Sequence, residues 1–463
     1  MATAVKQLDQ YMEAHGERHV QRLQEPAWLR RLRENAWALF RAKGLPTTHD
    51  EDWRFTNIAA LERIPFRRAA SVKPKIDAAQ LAAYHVPGAA CRLVFVNGAF
   101  APELSQTASL PDGLSVFSLA QPHGSNGFGL EQHLGRYADL DRDAFTALNT
   151  ALWEDGAAVH VQRGAEIAAP VHLLYVTADA EAPLMTHPRT LVVADEASRL
   201  AVIEEYVSLG AGAALSNSVT EVVAGQDAAV SHYLVERENL ESFNVSTLRI
   251  ELARGANVAS HSLLLGGGLV RNNVHPVLNG EGAECLINGL FLGVGRQHLD
   301  NYMLVEHAKP NCGSRQFYNG ILDDRARGVF HGRIVVHKDA QRTDAKQTNR
   351  NLLLSDDARI DTKPQLEIYA DDVKCTHGAT IGQIEEEALF YLRSRGLSES
   401  AARNMLLHAF AAECLDRMKE APAREFVDAL IRDRLRELAG NTRGAALPDA
   451  QAADALLKVE EAG

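Results

Sequence analysis

Residues 329–383 read VFHGRIVVHKDAQRTDAKQTNRNLLLSDDARIDTKPQLEIYADDVKCTHGATIGQ. In this stretch, short apolar and β-branched runs alternate with turn-forming Asp, Gly and Asn residues. Such alternation is typical of short strands joined by tight turns, and it does not have the 3.6-residue period of a helix. The stretch therefore predicts a strand-rich structure, and the sequence on its N-terminal side decides which kind.

A loose unit recurs on that side: a small turn, then Ala, then one residue, then an apolar strand. Its instances are Gly164-Ala165, Glu196-Ala197, Asp227-Ala228, Gly255-Ala256, Gly282-Ala283 and Asp357-Ala358. Successive instances lie roughly 30 residues apart, and the longer gap between Ala283 and Ala358 has room for two more units. A short strand-rich unit that repeats at a fixed spacing is the signature of a solenoid.

The residues between these turns are β-branched and apolar, as in LVV at 191–193 and VIEEYV at 202–207. They favour a mainly β fold with a β-helix core, and a sandwich of similarly spaced strands is the alternative. The open ends of a β-helix need caps, and we expect the flanking helical segments to supply them.

Three regions are expected. Residues 1–150 form an N-terminal helical and mixed region with a buried strand near 92–97, and residues 151–384 form the β-helix core. Residues 385–463 carry helical periodicity again, in three short helices. The apolar stripes of those helices either pack against the core or form a docking module for another protein.

Composition and the absence of certain motifs argue against several classes of function. The 463-residue chain has a formal net charge of −12, which argues against nucleic acid as a partner. Its N-terminus does not resemble a signal peptide, and no run approaches the roughly 20 apolar residues that span a bilayer, so we expect a cytoplasmic protein with no membrane partner. Five scattered cysteines without a C-x-x-C pair disfavour disulfides and self-contained metal motifs. No phosphate-binding loop is present, so the chain should not hydrolyse ATP itself.

Cys375 and His377 lie two residues apart, which places both side chains on one face of a strand. A thiolate and an imidazole suit zinc, copper(I) or iron–sulphur chemistry, but two ligands leave a tetrahedral site incomplete. The alternative is that Cys375 packs as a small apolar group and His377 makes one structural hydrogen bond. Further ligands would be available if the solenoid stacked other side chains of the second half, namely His275, His298, His307, His331, His337, Cys285 and Cys312.

Three motifs resemble the shared core of the SufB/SufD family of iron–sulphur cluster assembly proteins: VFHGRIVV at 329–336, AKQTNRNLLLS at 345–355 and DDVKCTHGAT at 371–380. The segment GLPTTHDEDWRFTN at 44–57 resembles the N-terminal signature of the family's SufD branch. FYLRSRGL at 390–397 resembles the helix with which the family docks the SufC ATPase.

This resemblance implies a right-handed parallel β-helix with helical N- and C-terminal regions. It also implies a non-catalytic scaffold subunit that forms a heterodimer with a SufB-like subunit and binds a SufC-like ATPase, with a transient iron–sulphur cluster at the SufB–SufD interface. A reduced flavin has been associated with such complexes. By matching positions, the metal-site residues are His377 and Cys375, and the residues that bind SufC are Tyr391, Arg395 and Gly396.

Gly378 follows the C-x-H motif, where SufB-like sequences tend to have Glu, and this favours the SufD branch over a SufB-type scaffold. A less favoured alternative is a β-helix polysaccharide-processing enzyme with the acids Asp323 and Asp324 at its groove. Exposed strand edges would also let the isolated chain form a homodimer.

Overall fold

The computed structural model of the chain describes residues 9–19, 25–69, 76–121, 129–178 and 182–441. Its helices are α1 (Asp9–His19), α2 (Ala27–Lys43), α3 (Leu130–His133), α4 (Ala144–Leu152), α5 (Glu386–Ser394), α6 (Glu399–Leu415) and α7 (Ala421–Asn441). Short 3-10 helices lie at Glu51–Trp53, Ala59–Glu62, Ala82–Tyr84 and Pro102–Leu104.

The strands are β1 (Arg67–Arg68), β2 (Cys91–Val96), β3 (Ala99–Phe100), β4 (Leu114–Ser118), β5 (Gly156–Val161), β6 (Val171–Ala178), β7 (Leu184–Thr186), β8 (Arg189–Ala194), β9 (Arg199–Leu209), β10 (Ala214–Ala224), β11 (Ala229–Arg237), β12 (Phe243–Leu252), β13 (Asn257–Leu264), β14 (Leu269–Leu278), β15 (Glu284–Gly293), β16 (His298–His307), β17 (Gly313–Leu322), β18 (Arg327–Val336), β19 (Asp344–Leu353), β20 (Arg359–Ile368) and β21 (Lys374–Gly382).

Successive strands from β8 onward alternate between two sheets. The first sheet runs in the order β20-β18-β16-β14-β12-β10-β8-β5-β4, and the second runs β21-β19-β17-β15-β13-β11-β9-β6-β2-β3. The strands from β8 to β21 pair in parallel, so that Leu269 lies beside His298 and His298 beside Arg327. A mainly β fold with a parallel solenoid core and helices towards both termini is therefore confirmed, and the spacing of these partners is the repeat seen in the sequence.

The corners of the coils explain the recurring turn. Gly255 and Gly282 have positive φ angles of 65° and 70°, and the alanine after each is fully buried. Corners stack through backbone hydrogen bonds, as where the N–H of Gly282 donates to the carbonyl of Pro310 at 3.2 Å. The two units expected in the long gap are present at Asn311 and Arg342, which also have positive φ. Buried Cys312 and Thr343 stand there in place of the alanine.

The helices lie along the faces of the solenoid and do not cap its C-terminal end. Helices α6 and α7 share an apolar cluster with the outer face of the second sheet, through residues such as Tyr233, Leu290 and Phe317. Helices α1, α2 and α4 share another with the outer face of the first sheet, including Leu215 and Val245. Apolar residues at these outward positions give the helical stripes a surface to bury. None of the described helices covers the C-terminal end of the solenoid.

Solenoid strands also occur earlier than residue 151, because β2 and β4 join the second and first sheets. The predicted C-terminal helical region, residues 385–463, is described as far as residue 441, and its remainder lies outside the described residues. Within the described ranges, no helix combines the length and apolar content needed to cross a membrane.

Candidate functional site at the open end of the solenoid

The last coil consists of β20 and β21, and no further coil follows it in the described part of the chain. Strand β21 pairs with β19 in register, so that Cys375 lies beside Ala345 and His377 beside Gln347. Ala345 and Gln347 point into the solenoid and are buried. In-register parallel strands share their faces, so Cys375 and His377 also occupy inward positions. The face that is the interior elsewhere is open to solvent here.

Cys375 and His377 are on one face, as their spacing predicts, but their environments differ. Cys375 is half-buried and packs against the main core, and burial raises the pKa of its thiol above the ordinary value. A free thiol at this position therefore stays protonated at neutral pH and is a poor ligand until a metal or a positive charge displaces its proton. His377 is exposed, and its side chain makes no hydrogen bond to the described residues.

The described part of the chain contains no group of three or more His, Cys, Asp or Glu side chains that could hold a metal ion. Among the other candidate ligands, His307 lies 2.8 Å from the hydroxyl of Ser314, the Cys312 thiol donates to a carbonyl at 3.2 Å, and the buried ring of His275 packs against Tyr302. Burial raises the pKa of Cys285 to about 12. The hypothesis that the solenoid stacks these side chains into a metal site is therefore wrong for the described residues.

Asp323 and Asp324 form a corner of the solenoid. Asp324 has a φ of 54°, its N–H donates to the carboxylate of Asp323 at 2.8 Å, and its own carboxylate accepts from the N–H of Gly295 at 3.1 Å. Both carboxylates accept hydrogen bonds from backbone N–H groups of the turns at this corner, which is a structural role.

Helix α5 follows β21 after only residues 383–385, and none of its residues is buried. Phe390 and Tyr391 are 73% and 54% exposed. The guanidinium of Arg395 lies 5.0 Å from the ring centre of Tyr391, and Gly396 ends the helix with a φ of 95°. The three residues predicted to bind the ATPase thus form one exposed patch, Tyr391, Arg395 and Gly396.

A buried ion pair on strands two and three places before β20 in the first sheet was not predicted from the sequence. Arg271 and Asp300, on the outer face of the first sheet, are 2.5 Å apart. Residues 47–57 cover them: the ring of Trp53 lies 4.0 Å from the Arg271 guanidinium, and the hydroxyl of Thr56 donates to Asp300. Arg271 and Asp300 lie on strands more than 200 residues from Trp53 and Thr56, so no local pattern reveals these contacts.

Comparison with known proteins identifies the family. The family model described as "SUF system FeS cluster assembly, SufBD core domain" matches residues 175–410, and the one described as "SufBD protein N-terminal region" matches residues 5–173. An iron–sulphur cluster assembly SufBD family protein of Synechocystis sp. is 35% identical over 421 residues, which cover 89% of this chain and 92% of that protein.

Two proteins named iron–sulphur cluster assembly protein SufD are also similar. The Escherichia coli protein is 34% identical over 85% of this chain and 90% of its own length, and the Bacillus subtilis protein is 27% identical over 88% and 93%. The match spans the solenoid and the open end with Cys375 and His377. The chain therefore belongs to the SufBD family of iron–sulphur cluster assembly proteins and is similar to its SufD members.

Proposed function

We propose that this chain is a non-catalytic, cytoplasmic scaffold subunit of an iron–sulphur cluster assembly complex. Its open solenoid end pairs with a SufB-like subunit, its helix α5 binds a SufC-like ATPase, and His377 with Cys375 contributes to a cluster site shared across the interface. The observation that carries the proposal is the open last coil, which presents both side chains at an end that no other part of the described chain covers.

The pairing surface is supported by the exposed apolar side chains of this end. Ile368, Tyr369 and Ile381 are large, apolar and exposed on or beside the last two strands. Strands β20 and β21 are the terminal members of their sheets among the described residues, and each has one row of backbone donors and acceptors that pairs with no described strand. Free strand edges with an apolar face are surfaces on which another chain can pair, including a second copy when the SufB-like subunit is absent.

The shared cluster site is supported by the number of ligands. Iron–sulphur clusters are commonly held by four protein ligands, mostly thiolates, and this end offers one thiol and one imidazole. The remaining ligands would come from the subunit that covers the end. The cluster is cargo that the complex builds and releases. A reduced flavin, if the complex binds one, is assigned to the assembled complex and to no residue of this chain.

The test is anaerobic co-expression with SufB-like and SufC-like partners, followed by measurement of iron, acid-labile sulphide and flavin per complex. We expect His377→Ala to leave the complex assembled and to remove most of the cluster. His337→Ala is the matched control, because His337 is also an exposed histidine but belongs to the preceding coil, at a corner where its ring lies 3.4 Å from the carboxylate of Glu306. Equal cluster content in wild type and His377→Ala would show that the ligands lie on the other subunit.

A further inference from the structure

Gln347 lies in the coil directly beneath His377, and its side chain is 1% exposed. Its amide Nε2 donates to the Oε1 of Gln316 at 2.8 Å, one coil further from the open end. Gln316 and Gln347 are register partners, so the two amides form a short ladder along the solenoid axis. Stacked amides on successive parallel strands satisfy one another in this way, each donating to its neighbour.

The ladder ends in an acceptor that has no partner. The Oε1 atom of Gln347 is buried and makes no hydrogen bond within the described chain. The nitrogen of this amide is bonded to Gln316, and the coil of β21 is the neighbouring coil on the other side, with His377 as the register partner of Gln347. A buried carbonyl without a hydrogen bond costs about 1–3 kcal/mol, so this acceptor favours a donor arriving from the open end.

The packing holds this amide in place. Gly332, opposite on β18, has no side chain, and a Cβ atom there would collide with the amide nitrogen of Gln347 and lie 3.1 Å from Oε1 of Gln316. The two glutamine side chains therefore cross the interior into the space that the glycine leaves free. An amide confined on one side by Gly332 and bonded on another to Gln316 has little freedom to turn.

The next inward position in this column is His377. We propose that Gln347 is a positioning residue for His377: in the assembled complex its side-chain carbonyl accepts a hydrogen bond from one ring N–H of His377. That bond fixes which ring nitrogen carries the proton and directs the lone pair of the other out of the solenoid, towards the partner subunit. This inference rests on the proposed function, because it requires the end to be covered and His377 to be a ligand.

Three variants of the full complex test this role by iron and acid-labile sulphide content. Gln347→Met keeps the length of the side chain and loses the acceptor, and we expect roughly a tenfold loss of cluster at limiting iron. Gln347→Glu keeps an acceptor oxygen, and Gln316 can donate to it through its own Nε2, so we expect this variant to retain most of the cluster. Asn349→Leu removes a buried amide from the same face of β19, opposite Ala379, whose Nδ2 donates to the carbonyl of Tyr318 at 3.2 Å. It should lower the stability of the complex but leave the cluster content per assembled complex close to that of wild type.

Several results would overturn the role. They are a normal cluster content in Gln347→Met, a loss in Gln347→Glu as large as in Gln347→Met, or an equal loss in Asn349→Leu. If Gln347→Met fails to assemble, the ring ¹⁵N shifts of His377 in the wild-type complex decide instead: one dominant tautomer supports the hydrogen bond, and a solvent-like mixture contradicts it. If His377→Ala keeps its cluster, the proposed function fails first, whatever the Gln347 variants do.

Discussion

The coil of β18 and β19 and the coil of β20 and β21 are paired in register, but their side chains are buried to different extents. Ile334 on β18 is fully buried, whereas its register partner Leu366 on β20 is only partly buried. The outer face of the first sheet shows the same contrast, because residues 47–57 cover Asp300 while Asp361, two strands further along, is partly exposed. Each repeat of a solenoid is buried by its neighbours. The inner face of the last coil has a neighbouring coil on one side, and no described residues form another coil on the other side.

The largest difference in stability between matched substitutions is expected on the outer face of the first sheet. Asp300→Ala leaves the guanidinium of Arg271, which is 2% exposed, without its carboxylate, and should cost about 3–5 kcal/mol of unfolding free energy. The pair of Arg327 and Asp361 is partly exposed, so Asp361→Ala should cost at most about 1 kcal/mol. Urea unfolding of the two variants of the isolated chain measures both values. Equal costs would show that residues 47–57 do not isolate the buried pair from water.

The interior gives a second comparison. Ile334→Ala removes a fully buried side chain and should cost about 2–5 kcal/mol, through lost burial and the cavity that remains. Leu366→Ala, one coil later in the same column, should cost roughly 1 kcal/mol in the isolated chain, because water already reaches that side chain. Urea unfolding gives both values. A cost at Leu366 as large as at Ile334 would mean that the last coil is covered in solution, as it would be in a homodimer.

Acid should weaken the covered part of the solenoid. Burial lowers the pKa of His307 in β16 from 6.5 to about 4. Between these values the unfolded chain binds a proton that the folded chain does not, so this contribution is complete above pH 6.5 and is lost as the pH falls towards 4. From pH 7 to pH 5 the loss is about 2 kcal/mol.

His307→Gln cannot take up that proton, and glutamine can still bond to the hydroxyl of Ser314. The free energy of unfolding of this variant should therefore fall less steeply with acid than that of wild type. Urea titrations at pH 7, 6 and 5 measure the two slopes. The same slope in both proteins would show that His307 is protonated in the folded state at these pH values.

Local sequence patterns were sufficient to predict the repeat of the solenoid, but not the surfaces against which its helices pack. The corner at Gly255 could be predicted because a positive φ favours glycine, and the corners at Asn311 and Arg342 because the spacing must continue. The assignment of Asp357-Ala358 to this series was wrong: the series continues from Arg342 to Asp372, and Ala358 stacks on the opposite corner, where the N–H of Arg359 donates to the carbonyl of Ala326. The corner at Asn311 did not show the recurring pattern, because Cys312 replaces the alanine there. The amphipathic stripe of α6 indicated that the helix is buried on one side, but a stripe does not specify the surface that it meets.

The candidate site was predictable in part for the same reason. The spacing of Cys375 and His377 predicted that both side chains lie on one face of the strand, since side chains of a strand alternate with a period of two. That this face is open depends on β21 being the last strand, and that Gln347 lies beneath His377 depends on the register of β19 with β21. Register is a property of the stacked coils, so it became visible only in the structure.

The smallest effect on stability should come from the exposed helix α5. Tyr391 is more than half exposed and contacts mainly the guanidinium of Arg395, so Tyr391→Ala should change the free energy of unfolding by no more than about 0.5 kcal/mol. If the patch binds a SufC-like ATPase, the same substitution should remove that subunit from the purified complex and leave the SufB-like subunit in place.

Arg432→Ala is the control for the ATPase pull-down: Arg432 also lies on an exposed helical surface, on α7, where it pairs with Asp428. A large loss of stability in Tyr391→Ala would show that the ring packs on this chain and is unavailable to a partner. Unchanged ATPase binding would move the docking surface away from α5. We predict that Tyr391→Ala has a negligible effect on the free energy of unfolding and a large effect on ATPase binding. This combination distinguishes a surface that binds a partner from the covered coils, where each buried side chain stabilises the chain that carries it.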